Sequence, residues 1–261
     1  MQSVNSIKST YIKELLNNGV RSGRGFFEYR KISVVRDIIP NAEGSAQVDL
    51  GATKVLVGVK LDIGEPMPDK PNEGNIITSA ELLPLASADF DIGPPSPEAI
   101  ELARVVDRGI RAANLIDTSS LFIEDGKVWS VFIDIYIMNY DGNLFDASTL
   151  ASVAALTNTR MPKYENGNVI REGKLGKLKV NNIVTSCTYV KVGKTIMLDP
   201  DGDEESVMDA RLTIANDETY IRAMQKGLSG SFKEHEINNL IERSFEKSKD
   251  LRSIINKLNS D

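Results

Sequence analysis

The sequence predicts a mixed α/β (α+β) fold that is built from two similar halves. Two observations lead to this prediction. Predicted strands and helices alternate along the chain in an order that occurs twice, and the spacing of apolar residues switches between two and about 3.6 residues. The chain has 261 residues, of which 41% are hydrophobic and 26% charged, as is usual for globular proteins. We expect the halves at residues 1–160 and 161–261.

The predicted first half begins with a helix and continues with strands. Residues 4–18 follow a helical period, and the apolar side of this helix consists of Ile7, Tyr11, Ile12 and Leu15. Alternating apolar and polar residues in 45–63 predict two strands on either side of Gly51. A Pro- and Gly-rich loop follows, and another strand is predicted at 76–83.

The clearest predicted helix lies within residues 91–117. Ser96 is a favourable N-cap residue, and Pro97 suits the first helical position because its missing N–H would be unpaired there anyway. The buried side of this helix is predicted to consist of Ile100, Leu102, Val105, Val106 and Ile110. A strongly β-prone run at 128–140 and an Ala-rich helix at 146–160 complete the first half.

The predicted second half again contains strands followed by helices. The strands are expected at 183–192, 194–198 and 207–215, and the helices at 217–228 and 233–258. An acidic loop, 199–206, connects the last two of these strands. The segment 161–180, which is rich in Lys and Arg, joins the two halves.

Composition narrows the class of protein. Cys187 is the single cysteine, so no intrachain disulfide can form, which favours a reducing environment inside the cell. No apolar run approaches the roughly 20 residues that a membrane-spanning helix requires, and we expect a soluble, cytoplasmic protein that does not bind membranes. The formal net charge of −6 argues against a protein that coats nucleic acid over its whole surface, but it allows one basic face.

Catalytic residue types are sparse. His235 is the single histidine and is expected at the surface of a charged helix, and Cys187 is expected in the core. The sequence contains neither a Walker loop nor a G-x-G-x-x-G motif. Carboxylates in and beside the acidic loop could serve metal binding or acid–base chemistry, although a solvated turn is the simpler interpretation. These carboxylates are Asp199, Asp201, Asp203, Glu204, Glu205 and Asp209.

Three arginines recur at helical spacing in the helix within 91–117. Arg104, Arg108 and Arg111 are separated by four and three residues, which aligns them on one helix face. A guanidinium matches the geometry of phosphate oxygens, so this face could bind a polyanion. The alternative is an ordinary solvated face on which Glu101 and Asp107 pair with the arginines.

Several segments, in this order, resemble motifs of the ribonuclease PH superfamily. They are RSGRGFFEYR (21–30), GSAQVDLGATKVLVGVK (44–60), PNEGNIITSAELLPLAS (71–87), ELARVVDRGIRAANLID (101–117) and DGNLFDASTLASVAAL (141–156). Within the superfamily, residues 100–111 and 198–214 most resemble the non-catalytic ring subunits of the archaeal exosome. One departure is Ser22, where the family commonly has an aspartate before Gly-Arg.

The resemblance implies a ribonuclease PH-like fold of two β-α-β-α halves. Active members of the family degrade RNA from its 3′ end with inorganic phosphate. In the archaeal complex, three heterodimers of an active and a non-catalytic subunit close into a hexameric ring, which threads single-stranded RNA and carries RNA-binding cap proteins. The resemblance therefore implies an active ribonuclease PH-like subunit as partner, and it makes Arg104, Arg108 and Arg111 the expected RNA-binding residues.

The same resemblance shows which catalytic features differ. Active relatives hold phosphate with a Gly-Ser/Thr-Arg turn, whereas Asn143, Leu144 and Phe145 occupy the matching positions here. Glu205 and Arg211 align with two aspartates of the active members. We therefore expect a subunit without catalytic residues, metal or cofactor. The alternative is a self-sufficient phosphate-dependent 3′-to-5′ exoribonuclease that uses Asp199, Asp203 or Asp209.

Overall fold

Two β-sheets, one from residues 32–139 and one from residues 185–227, form the framework of the protein. The computed structural model describes residues 2–165, 167–173 and 175–260. Its elements confirm the mixed α/β class that the sequence predicts. The boundary that we predicted between the halves, at residues 160 and 161, remains a proposal, because one continuous hydrophobic core contains residues from both sheets.

The first sheet is mainly antiparallel. Its strands are β1 (Ile32–Arg36), β2 (Gly44–Leu50), β3 (Thr53–Gly64), β4 (Asn75–Leu82), β5 (Phe122–Glu124) and β6 (Lys127–Asn139). They lie in the order β1-β2-β3-β6-β4, with β4 parallel to β6 and β5 paired to the start of β6. Val55, Val57 and Val59 are completely buried, as the alternation in the sequence predicts.

The second sheet is wholly antiparallel. Two small antiparallel strand pairs precede it, formed by β7 (Arg160–Met161) with β10 (Gly176–Lys177) and by β8 (Lys163–Glu165) with β9 (Asn168–Ile170). The sheet itself contains β11 (Thr185–Val192), β12 (Thr195–Leu198), β13 (Ala210–Asn216) and β14 (Ile221–Gly227). Their order is β12-β11-β13-β14, so β14 is an edge strand.

Helices pack against both sheets. They are α1 (Gln2–Asn17), α2 (Pro97–Ala112), α3 (Leu144–Thr157), α4 (Gly202–Ser206) and α5 (Glu234–Ser260). Every residue of α3 from Phe145 to Leu156 is buried, because this helix packs against β2 and β3 of the first sheet and β11 of the second. The helix α2 similarly contacts both sheets, through β4 and β14, and α5 covers β11 and β13.

The structure corrects the predicted apolar side of two helices. In α2, Ile100 is 48% exposed although we predicted it to be buried, because it lies four residues before Arg104 and shares the outer face. In α1, Tyr11 is exposed, and Leu16 is buried beside Ile12 instead. The side chain of Ile7 lies outside the part of the chain that is described.

The predicted helix at 217–228 is wrong, because residues 221–227 form the edge strand β14. The segment IRAMQKG contains good helix formers, but hydrogen bonding to β13 outweighs this weak intrinsic preference. A turn precedes the strand, in which the backbone N–H groups of Thr219 and Tyr220 donate to Oδ1 of Asp217 at 2.8 and 2.7 Å. The closing helix that we predicted at 233–258 is confirmed as α5.

The acidic loop is largely not the solvated turn that the sequence suggested. Asp199 and Glu204 are buried, and arginines from the segment 21–30 surround them. Arg21 donates through Nε to Glu204 at 2.7 Å, and Arg30 donates through Nη2 to Asp199 Oδ1 at 2.8 Å. Arg24 bonds both carboxylates. These five residues form a buried ion cluster that ties the start of the chain to the second sheet.

Candidate functional site

The arginine face of α2, by which we mean Arg104, Arg108 and Arg111, is exposed in the structure. Ser96 fixes the start of this helix, because its Oγ accepts a hydrogen bond from the backbone N–H of Ala99 at 3.2 Å. The opposite side of α2 is buried in the core, so the three guanidinium groups point away from it. The structure thus brings the three predicted residues together on one surface.

The three arginines differ in their contacts. Arg108 donates through Nη1 to Oε1 of Gln225 on β14 at 2.9 Å. Arg111 donates through Nε to Oδ2 of Asp107 at 2.7 Å and through Nη2 to the backbone carbonyl of Ile76. Among the described side chains, Arg104 has no ion-pair partner. Two shallow grooves run along this face, and Arg104 and Arg108 line both of them.

The alternative in which acidic neighbours neutralise the arginines is only half supported. Asp107 pairs with Arg111, but both side chains are partly exposed, and such a pair at helical spacing contributes only about 0.2–0.5 kcal/mol. Glu101 does not pair with an arginine of α2. Its Oε1 instead accepts a hydrogen bond at 2.7 Å from Nη2 of Arg211 on β13. The face keeps a net positive charge.

A second cluster occupies the place where the family resemblance puts the catalytic residues. Asn143 has the left-handed backbone conformation, with φ of 53°, and caps the start of α3. Phe145 follows in the first turn of α3 and is buried. The Arg211 guanidinium carbon lies 4.2 Å from the centroid of the Phe145 ring, which is a cation–π contact. An apolar ring and an internal cation therefore occupy the positions that the family resemblance aligns with catalytic residues.

Glu205 is paired within the same cluster. Its carboxylate accepts hydrogen bonds from the Tyr140 hydroxyl at 2.7 Å and from the backbone N–H of Asn143 at 2.8 Å. Burial raises the pKa of Glu205, and the two hydrogen bonds and the nearby charge of Arg211 oppose that shift. Burial and the neighbouring Glu205 also raise the pKa of Tyr140. The Tyr140 hydroxyl and the Glu205 carboxylate therefore hold each other in place.

Gly227 makes room for the Arg211 side chain. A Cβ atom at position 227 would lie 2.8 Å from Nη2 of Arg211 and 3.1 Å from its Cζ. The register of the sheet places Gly227 directly opposite Arg211. The guanidinium is thus held between an aromatic ring on α3 and a strand residue without a side chain, and only 12% of the Arg211 side chain is exposed. Its Nε is buried and has no hydrogen-bond partner among the described groups.

The carboxylates that the self-sufficient alternative would need are each bonded to other groups. Asp199 accepts from the guanidinium groups of Arg24 and Arg30 inside the buried ion cluster. Asp209 accepts from the backbone N–H of Gly193, and Asp203 pairs at the surface with Lys8 at 2.6 Å. Among the described residues, no group of three or more His, Cys, Asp or Glu residues is arranged to hold a metal ion.

The predictions for the histidine and the cysteine are confirmed. His235 is exposed at the start of α5, and Cys187 is completely buried on β11. Burial raises the pKa of Cys187 to about 12, which keeps its sulfur in the unreactive thiol form. The Cys187 sulfur lies 3.5 Å from the hydroxyl of Ser248, within the packing of α5 against the second sheet.

Comparisons with known protein families and with named proteins identify the family of this chain. Residues 28–162 match the family described as 3′ exoribonuclease family, domain 1, and residues 182–247 match domain 2 of the same family. The chain belongs to the ribonuclease PH family. It is 48% identical over 251 residues to a Thermococcus gammatolerans protein named exosome complex component Rrp42, with 94% of this chain and 92% of that protein covered. A Methanocella arvoryzae protein of the same name is 49% identical over 249 residues, with 94% of both chains covered.

Solved structures of this family share the fold. A chain of the Archaeoglobus fulgidus exosome, described as having RNA bound to its active site, superposes with a TM-score of 0.90 at 44% identity and covers 96% of this chain and 98% of its own length. A chain of an archaeal exosome core superposes with a TM-score of 0.88 at 41% identity, covering 98% of this chain and 100% of its own. The predicted ribonuclease PH-like fold is thereby confirmed. Within the described residues, none of the helices is long and apolar enough to span a membrane.

The sequence did not indicate several residues that shape the buried ion cluster and the two sites described above. Arg21, Arg24 and Arg30 belong to a recognisable motif, but nothing local indicates their partners, which lie 169 to 183 residues further along the chain. Gln225 and Gly227 lie in a segment that we predicted to be helical, so their positions opposite α2 and Arg211 were missed. The alignment of Arg211 with a catalytic aspartate was the one available signal that a cation occupies this cluster.

Proposed function

We propose that this chain is a non-catalytic ring subunit of an archaeal-type exosome. It pairs with an active ribonuclease PH-like subunit, completes the RNA path beside that subunit's active site, and binds RNA through Arg104, Arg108 and Arg111. The observation that carries this proposal is the stacking of Arg211 on Phe145, because it fills the catalytic cluster with an internal contact. The shared family and the named relatives support the assignment to this complex.

The lack of catalysis follows from charge and from geometry. Phosphorolysis needs a cation that holds inorganic phosphate and carboxylates that handle protons or a divalent ion. Phe145 cannot bind an anion, and the nearby Arg211 already donates to Glu101. The positive charge of Arg211 would also oppose binding of a divalent cation beside Glu205. We therefore assign the catalysis to the partner subunit.

The arginine face explains how a silent subunit contributes to degradation. Contacts between guanidinium groups and RNA phosphates carry no base information, so binding through such contacts is independent of RNA sequence. By holding the phosphates near the 3′ end, the arginines keep the terminal linkage in position for the partner's active site, which lowers the entropic cost of reaction. The exposed Arg104, which has no ion-pair partner among the described side chains, is the most available of the three.

The assembly that we propose is a ring of three heterodimers, which carries RNA-binding cap proteins and works in the cytoplasm. Single-stranded RNA would pass through its centre, and the arginine face would point toward this path. The two structures that superpose on this chain are described as archaeal exosomes, one of them with RNA bound, which supports its membership of such an assembly.

Phosphate-dependent release of nucleoside diphosphates from single-stranded RNA tests the proposal. The purified chain is assayed alone, and then in a ring with its active partner. We expect no product from the chain alone and more product from the ring than from the partner alone. A ring whose partner subunit has been inactivated is the control, and it should release nothing. Product from the chain alone, or from the ring with the inactivated partner, would overturn the assignment.

A further inference from the structure

We propose that Arg211 is a positioning residue for the arginine face of α2. By pairing with Glu101, it withdraws a carboxylate that would otherwise neutralise Arg104. The guanidinium of Arg104 then remains available for RNA phosphates. This inference rests on the proposed function, because it gives Arg211 a role in RNA binding in addition to replacing a catalytic carboxylate.

The position of Arg211 is defined on several sides. Its guanidinium stacks on Phe145 at 4.2 Å, and its Nη2 donates to Oε1 of Glu101 at 2.7 Å. Gly227 leaves the space that the guanidinium fills, since a Cβ there would lie 2.8 Å from Nη2. Only 12% of the Arg211 side chain is exposed, compared with 35% of the Glu101 side chain. Arg211 is therefore the fixed member of the pair, and Glu101 is the member that it holds.

Glu101 has a competing partner on its own helix. Arg104 lies three residues further along α2, and residues at this spacing are neighbours on a helix surface. A Glu that precedes an Arg by one turn forms a favourable ion pair. Among the described side chains, Arg104 has no ion-pair partner, whereas Glu101 is bonded to Arg211 from the other side. Without Arg211, the carboxylate of Glu101 would turn toward Arg104 and compete with RNA for it.

Gln225 extends the same contact to Arg108. The side-chain nitrogen of Gln225 donates to Oε1 of Glu101 at 3.5 Å, and its side-chain oxygen accepts from Nη1 of Arg108 at 2.9 Å. The four residues Arg211, Glu101, Gln225 and Arg108 thus form a hydrogen-bonded chain from the former catalytic cluster to the arginine face. Loss of Arg211 would release the carboxylate of Glu101, and with it the side-chain amide of Gln225 that orients Arg108.

The test measures equilibrium binding of single-stranded RNA to the assembled ring at several salt concentrations. Arg211→Met keeps an apolar contact with Phe145 but releases Glu101. We expect this variant to bind RNA up to about fivefold more weakly, as for the loss of one exposed charge contact, and with a smaller salt dependence. Gly227→Ala should act in the same direction, because the new Cβ displaces the guanidinium while Arg211 itself is retained.

A second substitution that restores RNA binding would distinguish a positioning role of Arg211 from a merely structural one. In the double variant Arg211→Met/Glu101→Gln, no carboxylate remains to compete for Arg104, so we expect RNA affinity and salt dependence to return close to those of the unmodified ring. The inference is overturned if Arg211→Met binds RNA with unchanged affinity and salt dependence. It is equally overturned if the double variant binds as weakly as the single variant.

A further variant distinguishes this inference from the proposed function. Replacing Arg104, Arg108 and Arg111 together with Ala, in the same ring and assay, removes the arginine face itself. If this ring binds RNA as tightly as the unmodified ring, the proposed function fails. If it binds weakly while Arg211→Met has no effect, only the positioning role of Arg211 fails.

Discussion

The guanidinium of Arg211 stacks on the ring of Phe145, with 4.2 Å between the guanidinium carbon and the ring centroid. The family resemblance aligns both residues with catalytic positions of active members, and their side chains are in direct contact in the structure. A cation that lies near a buried ring face is stabilised by the ring's electron density, so the contact helps to hold α3 against β13. The same guanidinium donates to Glu101 of α2, the helix that carries the arginine face.

Two substitutions of Phe145 are expected to destabilise the protein to different extents. Phe145→Leu keeps much of the buried volume but removes the ring beneath Arg211, at a cost of about 1–2 kcal/mol. Phe145→Ala also leaves a cavity in the core, and the total cost should reach about 3–5 kcal/mol. Urea unfolding followed by circular dichroism measures both values. Equal stability of the leucine variant and the unmodified protein would show that the stacking contributes nothing.

The buried ion cluster should be sensitive to the charge of Asp199. Asp199→Asn keeps a residue that tolerates the left-handed φ of 53°, but it leaves Arg30 without its buried counter-charge and Arg24 with Glu204 as its remaining buried partner. We expect a loss of about 3–5 kcal/mol in the free energy of unfolding. Asp203→Asn, in the same loop, breaks only the exposed pair with Lys8 and should cost less than about 1 kcal/mol. Similar costs for the two variants would contradict this account.

Cys187 should resist thiol reagents in the native protein. Its side chain is completely buried, and burial raises its pKa to about 12, so almost no thiolate exists at pH 8. Reaction with a chromogenic disulfide reagent should be undetectable over the minutes in which the same protein, unfolded in guanidinium chloride, reacts completely. Rapid stoichiometric labelling of the folded protein would contradict the burial of this residue.

Asp146 should make the stability depend on pH. Burial raises its pKa to about 6 from an ordinary value of 3.8, and the hydrogen bonds from Asn143 and Thr188 oppose this shift. The folded state thus binds this proton more tightly than the unfolded state. The stabilisation that Asp146 contributes is therefore complete below about pH 3.8. The free energy of unfolding then falls by roughly 3 kcal/mol as the pH rises from about 3.8 to about 6.

Comparison with Asp146→Asn isolates this effect, because the variant cannot titrate at this position. The difference in unfolding free energy between the two proteins is measured by urea unfolding from pH 4 to pH 8. We expect the difference to shift in favour of the variant as the pH rises to about 6 and to level off above it. A difference that does not change with pH would contradict the raised pKa.

Much of the fold could be predicted from the sequence, because its signals are local. The alternation around Val55, Val57 and Val59 predicted β3, and Ser96 with Pro97 predicted the start of α2. The helical spacing of Arg104, Arg108 and Arg111 also predicted that they share one helix face, and the structure exposes all three, whereas their proposed role in RNA binding came from the family resemblance. Such patterns depend on neighbours in the chain and need no knowledge of the tertiary structure.

The missed features all depend on contacts between distant segments. The residues of β14 have a helical preference in isolation, and only pairing with β13 makes them a strand. Ile100 was predicted to lie in the core, but the orientation of α2 places it on the outer face with Arg104. The pairing of Arg21 with Glu204 joins residues 183 positions apart, which no local pattern indicates. For the same reason, the link from Arg211 to Glu101 could not be anticipated.

The most direct test of the central claim is the salt dependence of RNA binding by the ring in which Arg104, Arg108 and Arg111 are replaced by Ala. Each phosphate contact on single-stranded RNA contributes about 0.7 to the slope of log K against log salt concentration. We predict weaker binding and a slope that is smaller by about 2 than that of the unmodified ring, with ring assembly unchanged. Unchanged affinity and an unchanged slope in an intact ring would contradict the claim that this face binds RNA.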